Sequence, residues 1–156
     1  MSNSIQSVQP NLVLQHMNQL QEARQSLEAI GAHIPTSIHR VVTGLARHQD
    51  LISLVPELPQ SDHLHEISIT LTESLAEYRR MGQACEQLSF DADRLLGQLR
   101  AAIPSPAINR GLHDILRGES QIFDRLNQED DVCQHLLISL DHQTHELINQ
   151  HLARVE

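Results

Sequence analysis

Two pairs of histidines lie close to carboxylates at spacings that could bind a metal ion. His63 and His65 form one pair, and His142 and His145 form the other. Imidazole is a common zinc ligand, and antiparallel pairing of two helices would bring these pairs level. However, His63 and His65 project on opposite sides of the core row of their helix, and the repeated carboxylate-x-x-His pattern of di-iron bundles is absent. We therefore expect solvated surface histidines here, with no metal and no other cofactor.

The sequence contains none of the motifs that common catalytic sites require. There is no nucleophile paired with a base, no glycine-rich phosphate loop and no Cys-x-x-Cys pair. The two cysteines, Cys85 and Cys133, fall on core positions of predicted helices, which is typical of small hydrophobic core residues in a reducing environment. We therefore predict that the protein is not an enzyme.

Basic residues are distributed unevenly along an acidic chain. The 156 residues carry a formal net charge of -9, and all 11 basic residues are arginines. Residues 29–49 and residues 94–113 contain no Asp or Glu. With two and three arginines, these segments carry a charge of +5, so the rest of the chain carries -14. If all 11 histidines were protonated, the net charge would become +2, so we expect acidification to strengthen binding to an anionic surface.

Basic and apolar side chains gathered at one pole would suit docking on anionic phospholipids. Arginine binds phosphate groups, and aliphatic side chains insert shallowly among lipid headgroups. The predicted lipid-binding residues are His33, Ile34, His39, Arg40, Arg47, Arg100, Ile103, Arg110 and His113. Two alternatives remain. The isoleucines could simply close the end of a bundle, and the acid-free segments could arise by chance or mark an acidic protein partner.

The elements that must position these residues are predicted to be helices. The chain is 40% hydrophobic and only 2% aromatic, which allows a buried core but differs from most β-sandwiches. The acidic bulk and the scarcity of aromatic residues argue against nucleic-acid binding. Residues 62–103 carry the clearest pattern, with two heptad rows that are almost wholly apolar. The first of these rows consists of Leu64, Leu71, Tyr78, Cys85, Ala92 and Leu99.

Helices are expected over residues 5–31, 36–55, 62–103 and 106–154, which gives an all-α, elongated antiparallel four-helix bundle with bent or kinked long helices. We treat residues 1–156 as a single domain and as the N-terminal part of a longer protein. Gly31 and Pro35 are expected to end the first helix, and Pro104 is expected to end the third. In an up-down bundle the first and third loops lie at the same end, so the predicted lipid-binding residues would form one basic tip.

The opening segment, residues 1–15, carries no charged side chain and is rich in Ser, Asn and Gln. In this it resembles the export signals of bacterial type III secretion substrates. With the lysine-free chain and the basic tip, the sequence resembles the N-terminal four-helix membrane-localisation domains of bacterial toxins and effectors, such as the raft-targeting domain of the Bordetella type III cytotoxic effector. The resemblance implies that the first and third loops, here His33 to Arg40 and Arg100 to Arg110, contact anionic lipid.

Our leading hypothesis is a non-enzymatic targeting domain of a secreted effector, made in the bacterial cytoplasm and docked on the host plasma membrane after export. A chain without lysine offers no side-chain amine for ubiquitin, which suits residence in a host cell. The alternative hypothesis is a protein–protein interaction bundle. In this case the chain would be either a module that a secretion chaperone binds or a subunit of a coiled-coil complex. A homodimer of the chain is one such complex.

Overall fold

The computed structural model describes the backbone of residues 2–101 and 106–155 and the side chains of residues 12–101 and 107–155. Within these ranges all regular structure is helical. It consists of α1 (Ser2–Ser53), α2 (Asp62–Arg100) and α3 (Pro106–Val155). The expected all-α class is confirmed. The expected four-helix bundle is not, because the described residues form three helices.

The segments 5–31 and 36–55, which were expected to be two helices, belong to the single helix α1. The prediction placed a break at Gly31 and Pro35 because glycine and proline disfavour helix interiors. The buried row nevertheless passes this point in phase, at spacings of three and four residues. It consists of Leu20, Ala23, Leu27, Ile30, Ile34, Ser37 and Val41. Burial of this face on both sides of Pro35 outweighs the local cost of proline, which is about 3 kcal/mol.

Helices α2 and α3 correspond to the predicted helical segments 62–103 and 106–154. Ser61 caps α2, because its Oγ accepts a hydrogen bond from the backbone N–H of Leu64 at 3.4 Å. Helix α3 begins at Pro106, where the absent N–H of proline costs no intrahelical hydrogen bond. The expected stop at Pro104 lies outside the described residues.

Contacts divide the chain into two compact units. Unit 1 comprises residues 1–33 and 81–124, and unit 2 comprises residues 34–80 and 125–156. Each unit therefore contains part of α1, part of α2 and part of α3. The apolar cluster of unit 1 has a buried set and a partly buried rim. These residues are Leu20, Ala23, Ala92, Leu95, Leu96, Leu99, Ile108, Leu112 and Ile115, with Met17, Leu88 and Leu116 at the rim.

The core of unit 2 combines apolar residues with buried polar ones. Its buried apolar residues include Leu71, Tyr78 and Leu140. All four buried polar residues of the described chain lie in this unit: Ser37, His48, Ser74 and Thr144. Because a buried polar group is costly unless it is hydrogen-bonded, these residues constrain how the helices of unit 2 can pack.

Candidate functional site

One end of unit 1 retains part of the predicted lipid-binding site. The apolar cluster holds the last turns of α2 beside the first turns of α3. Arg100, Arg110 and His113 extend from these turns and are exposed. We call this region, residues 94–101 and 107–113, the hairpin end. Ile103, which was also predicted to bind lipid here, lies outside the described residues.

Aliphatic side chains near the start of α1 are exposed in the same unit. Met17 packs against the apolar cluster, and Leu12, Val13 and Leu14 precede it by about one helical turn. Leu14 is the most exposed of the three, at 58%. Unit 1 therefore presents apolar surface as well as exposed arginines.

The remaining predicted lipid-binding residues lie along α1 and not in a loop, because α1 continues through residues 31–35. Only His33 belongs to unit 1, whereas the other four belong to unit 2, namely Ile34, His39, Arg40 and Arg47. Ile34 is only 4% exposed and is part of the core, so it is not available for insertion into lipid. The Nε of Arg47 lies 3.3 Å from an Oδ of Asp141 on α3. The expected arrangement, in which a first loop and a third loop form one tip, is therefore corrected.

The three helices of unit 2 are joined by hydrogen bonds to one carboxylate oxygen. Ser37 on α1 and Tyr78 on α2 each donate a hydrogen bond of 2.7 Å to Oδ1 of Asp130 on α3. Burial, followed by the hydrogen bond to Asp130, raises the pKa of Tyr78, so the phenol keeps its proton and remains a donor. We call these three residues the Asp130 clasp. Since each helix supplies one member, the clasp favours a single helix register.

Two members of the clasp were not predicted from the sequence. Tyr78 was assigned to a core row, but Ser37 and Asp130 were not recognised as core residues. For Ser37 a signal was present, because Ser37 follows the apolar Ile30 by seven residues and a polar residue at a heptad core position indicates a buried polar contact. For Asp130, which is half-buried, the heptad gives no such signal, because Phe123, seven residues earlier, is 50% exposed.

A second buried polar contact joins α1 to α3 in unit 2. The Nδ1 of His48 lies 2.9 Å from Oγ1 of Thr144, and Thr144 donates its hydroxyl proton to the carbonyl of Leu140 at 2.5 Å. A hydroxyl has one proton, so Thr144 must accept from His48, which therefore carries its proton on Nδ1. Burial lowers the pKa of His48, which keeps this imidazole neutral.

His48 also lines a cavity of about 390 Å³ in unit 2, together with Asp62, His65 and Leu147. Within the described part of the chain, no three His, Cys, Asp or Glu side chains are placed to hold a metal ion. Two of the four histidines that we considered as metal ligands, His142 and His145, contact other groups within α3. The Nε2 of His142 lies 3.3 Å from Oε1 of Glu146, and the Nδ1 of His145 lies 2.8 Å from the carbonyl oxygen of Asp141.

No family model matches this chain, and neither a curated protein nor a solved structure is significantly similar to it. None of the described helices combines the length and apolar character needed to cross a membrane.

Proposed function

We propose that this chain is a non-enzymatic docking module whose hairpin end binds anionic membrane phospholipids reversibly. The observation that carries the proposal is that unit 1 exposes Arg100 and Arg110 together with the aliphatic side chains of Leu12 and Leu14. Residues 94–113 contain no acidic side chain, so no carboxylate within this segment offsets the two arginines.

The expected strength of docking is modest. Each arginine close to an anionic surface contributes roughly 1 kcal/mol, so Arg100 and Arg110 together contribute roughly 2 kcal/mol. Insertion of Leu14 adds about 2 kcal/mol. A total of roughly 4 kcal/mol corresponds to a dissociation constant near 1 mM, which is about tenfold weaker than a single myristoyl chain provides. The chain is therefore expected to attach to the membrane only transiently.

Co-sedimentation with vesicles tests this proposal. We expect the protein to bind phosphatidylcholine vesicles that contain phosphatidylserine and to bind pure phosphatidylcholine vesicles much less. Arg100→Glu with Arg110→Glu should abolish binding while the helical circular-dichroism signal is unchanged.

The matched control is Arg40→Glu with Arg79→Glu, which makes the same change in net charge at exposed positions of unit 2. This control should retain binding. If both double variants lose binding equally, net charge and not the hairpin end governs attachment, and the proposal fails.

Export and a host location remain part of the same proposal. Their support is the uncharged composition of residues 1–15 and the absence of lysine. Fusion of residues 1–15 to a reporter enzyme would measure export, and a signal that does not depend on a type III secretion apparatus would exclude this route.

A second candidate function, the protein–protein interaction bundle, is favoured by a separate observation. Phe90 and Phe123 are 63% and 50% exposed, whereas Tyr78 is buried. Two of the three aromatic residues thus lie at the surface, and exposed aromatic residues are typical of protein interfaces. Self-association without any vesicle would support this function, whether or not the chain also binds lipid.

A further inference from the structure

One face of α2 within unit 1 is exposed among the described residues. Gln83, Glu86, Phe90, Arg94 and Gly97 follow one another at spacings of three and four residues, and all five are exposed. This spacing places them on a single helix face. At 63% exposure, Phe90 is the second most exposed large hydrophobic side chain in the helices, after Val155. We call these five residues the Phe90 face.

Among the described residues, a Cβ added at Gly31, Gly82 or Gly97 would meet nothing within 4 Å, and Gly97 is the one of these three that lies on the Phe90 face. A Cβ added at Gly111 would meet Cδ1 of Leu95 at 2.8 Å, and one added at Gly118 would meet Cδ1 of Leu88 at the same distance. These two glycines are therefore needed where α2 and α3 approach closely. A Cβ at Gly97 would have nothing within 4 Å, although glycine disfavours helix interiors. Its absent side chain leaves room on the Phe90 face for another backbone to come close.

We propose that a second copy of this chain packs antiparallel against α2, with the twofold axis at Phe90. In such a pair, positions equally distant from Phe90 on opposite sides face each other. Glu86 then faces the partner's Arg94, and Arg94 faces the partner's Glu86. Gln83 faces the partner's Gly97, where its long side chain finds space. The inference deepens the interaction-bundle candidate and does not depend on lipid docking.

The charge pattern selects this orientation. A parallel pair would place Glu86 against the partner's Glu86 and Arg94 against the partner's Arg94, which is repulsive at both positions. In the antiparallel pair the same residues form two opposite-charge contacts. Within its own helix, Arg94 contacts Asp91 at 3.5 Å with its side chain 60% exposed. Such an exposed pair is weak, so Arg94 can turn toward the partner's Glu86.

Sedimentation equilibrium tests the pairing. We expect the wild-type chain to dimerise reversibly, and Phe90→Ala should raise the dissociation constant by about 30-fold or more, as for a central interface residue. The matched control is Phe123→Ala, which removes an exposed aromatic side chain of the same unit outside the Phe90 face and should leave the dissociation constant unchanged. A wild-type chain that stays monomeric up to roughly 1 mM would overturn the inference.

Charge reversal tests the partner assignment. Glu86→Arg alone and Arg94→Glu alone should each weaken the homodimer by roughly tenfold, because each places like charges opposite one another twice. An equimolar mixture of the two single variants should dimerise as well as the wild type, since Arg at one position then faces Glu at the other. A mixture that remains as weak as either variant alone would exclude the antiparallel register.

Cysteine cross-linking separates the two orientations. Cys85 and Cys133 are buried, so added surface thiols react selectively. With a short bismaleimide, Gln83→Cys should link to Gly97→Cys in a mixture, and neither variant should link to itself. Self-linking of Gln83→Cys would show a parallel pair and refute the proposal. Phe90→Ala, Glu86→Arg and Gln83→Cys lie outside the hairpin end and leave Arg100 and Arg110 intact, so vesicle binding by these three variants can succeed or fail independently of dimerisation.

Discussion

Asp130 shows how a single carboxylate can fix the contact among three helices. Its Oδ1 accepts hydrogen bonds from Ser37 and Tyr78, which lie on two other helices. Tyr78 is only 1% exposed, so its hydroxyl has little access to water as a substitute partner. Removal of the acceptor would therefore leave buried donors unpaired, which costs more than the loss of an exposed hydrogen bond.

We expect Asp130→Ala to lower the free energy of unfolding by about 3 kcal/mol. Tyr78→Phe removes only one donor and should lower it by about 1 kcal/mol. Urea unfolding followed by circular dichroism measures both changes. If the two variants are destabilised equally and weakly, Asp130 does not serve as the shared acceptor.

His48 makes the stability of unit 2 depend on pH in a defined direction. Burial lowers its pKa below the ordinary value of 6.5. Between the lowered pKa and 6.5, the unfolded chain binds more protons at this residue than the folded chain does. The free energy of unfolding should therefore fall as the pH drops below about 6.5, and the contribution is complete above that value.

A comparison of the wild type with His48→Gln isolates this effect from the other ten histidines. Urea midpoints at pH 7.5 and pH 5.5 should show a larger acid-induced loss of stability in the wild type than in the variant. An equal loss of stability in both proteins would mean that the pKa of His48 is not lowered by folding, and it would contradict this prediction.

At the scale of the helix, α1 shows packing that overrides a strong local signal. Ile30 and Ile34 are both buried, at 5% and 4% exposure, although Ile30 immediately precedes Gly31 and Ile34 immediately precedes Pro35. The heptad row was visible on each side of this point, and its continuity across the proline was the stronger signal. Local propensity predicts where a helix is weak, whereas the phase of the buried row predicts whether it continues.

Pro35→Ala distinguishes these two interpretations. In the interior of α1, proline is about 3 kcal/mol less favourable than alanine, so the substitution should raise the free energy of unfolding by up to that amount. At the start of a separate helix, proline would be favourable and its replacement would give no gain. Urea unfolding provides the measurement, and Pro59→Ala, outside the helices, serves as the control that should change stability little.

The bounds of α2 and α3 could be predicted more accurately than those of α1, because the residues at the helix starts and the heptad pattern indicate the same limits. In α2, Ser61 caps the helix start, and every member of the row from Leu64 to Leu99 is buried. What the pattern could not supply was the set of polar core contacts. Ser74, which is buried, lies at a heptad spacing from Ile67 and Met81, but no sequence rule identifies its neighbours on the other helices.

At the scale of the whole molecule, the error in α1 changed the candidate site. The number of helices determines which loops lie at the same end of a bundle. Because four helices were predicted and the described residues form three, the prediction placed Arg40 and Arg47 at the same tip as Arg100 and Arg110. The charge segregation itself is a property of the sequence and remains. The position of the basic residues in the fold depends on the number of helices. Only the basic residues of the hairpin end could therefore be placed correctly, because their placement depends on residues 94–113 alone.

The two buried cysteines make it possible to follow the two units separately. Cys85 lies in unit 1 and Cys133 in unit 2, and the chain has no third cysteine. A thiol reagent reaches either side chain only when the surrounding structure opens, so the labelling rate of each cysteine under native conditions reports the opening free energy of its own unit. Equal rates would indicate that the whole chain opens in one cooperative event, whereas unequal rates would identify the less stable unit without any added probe.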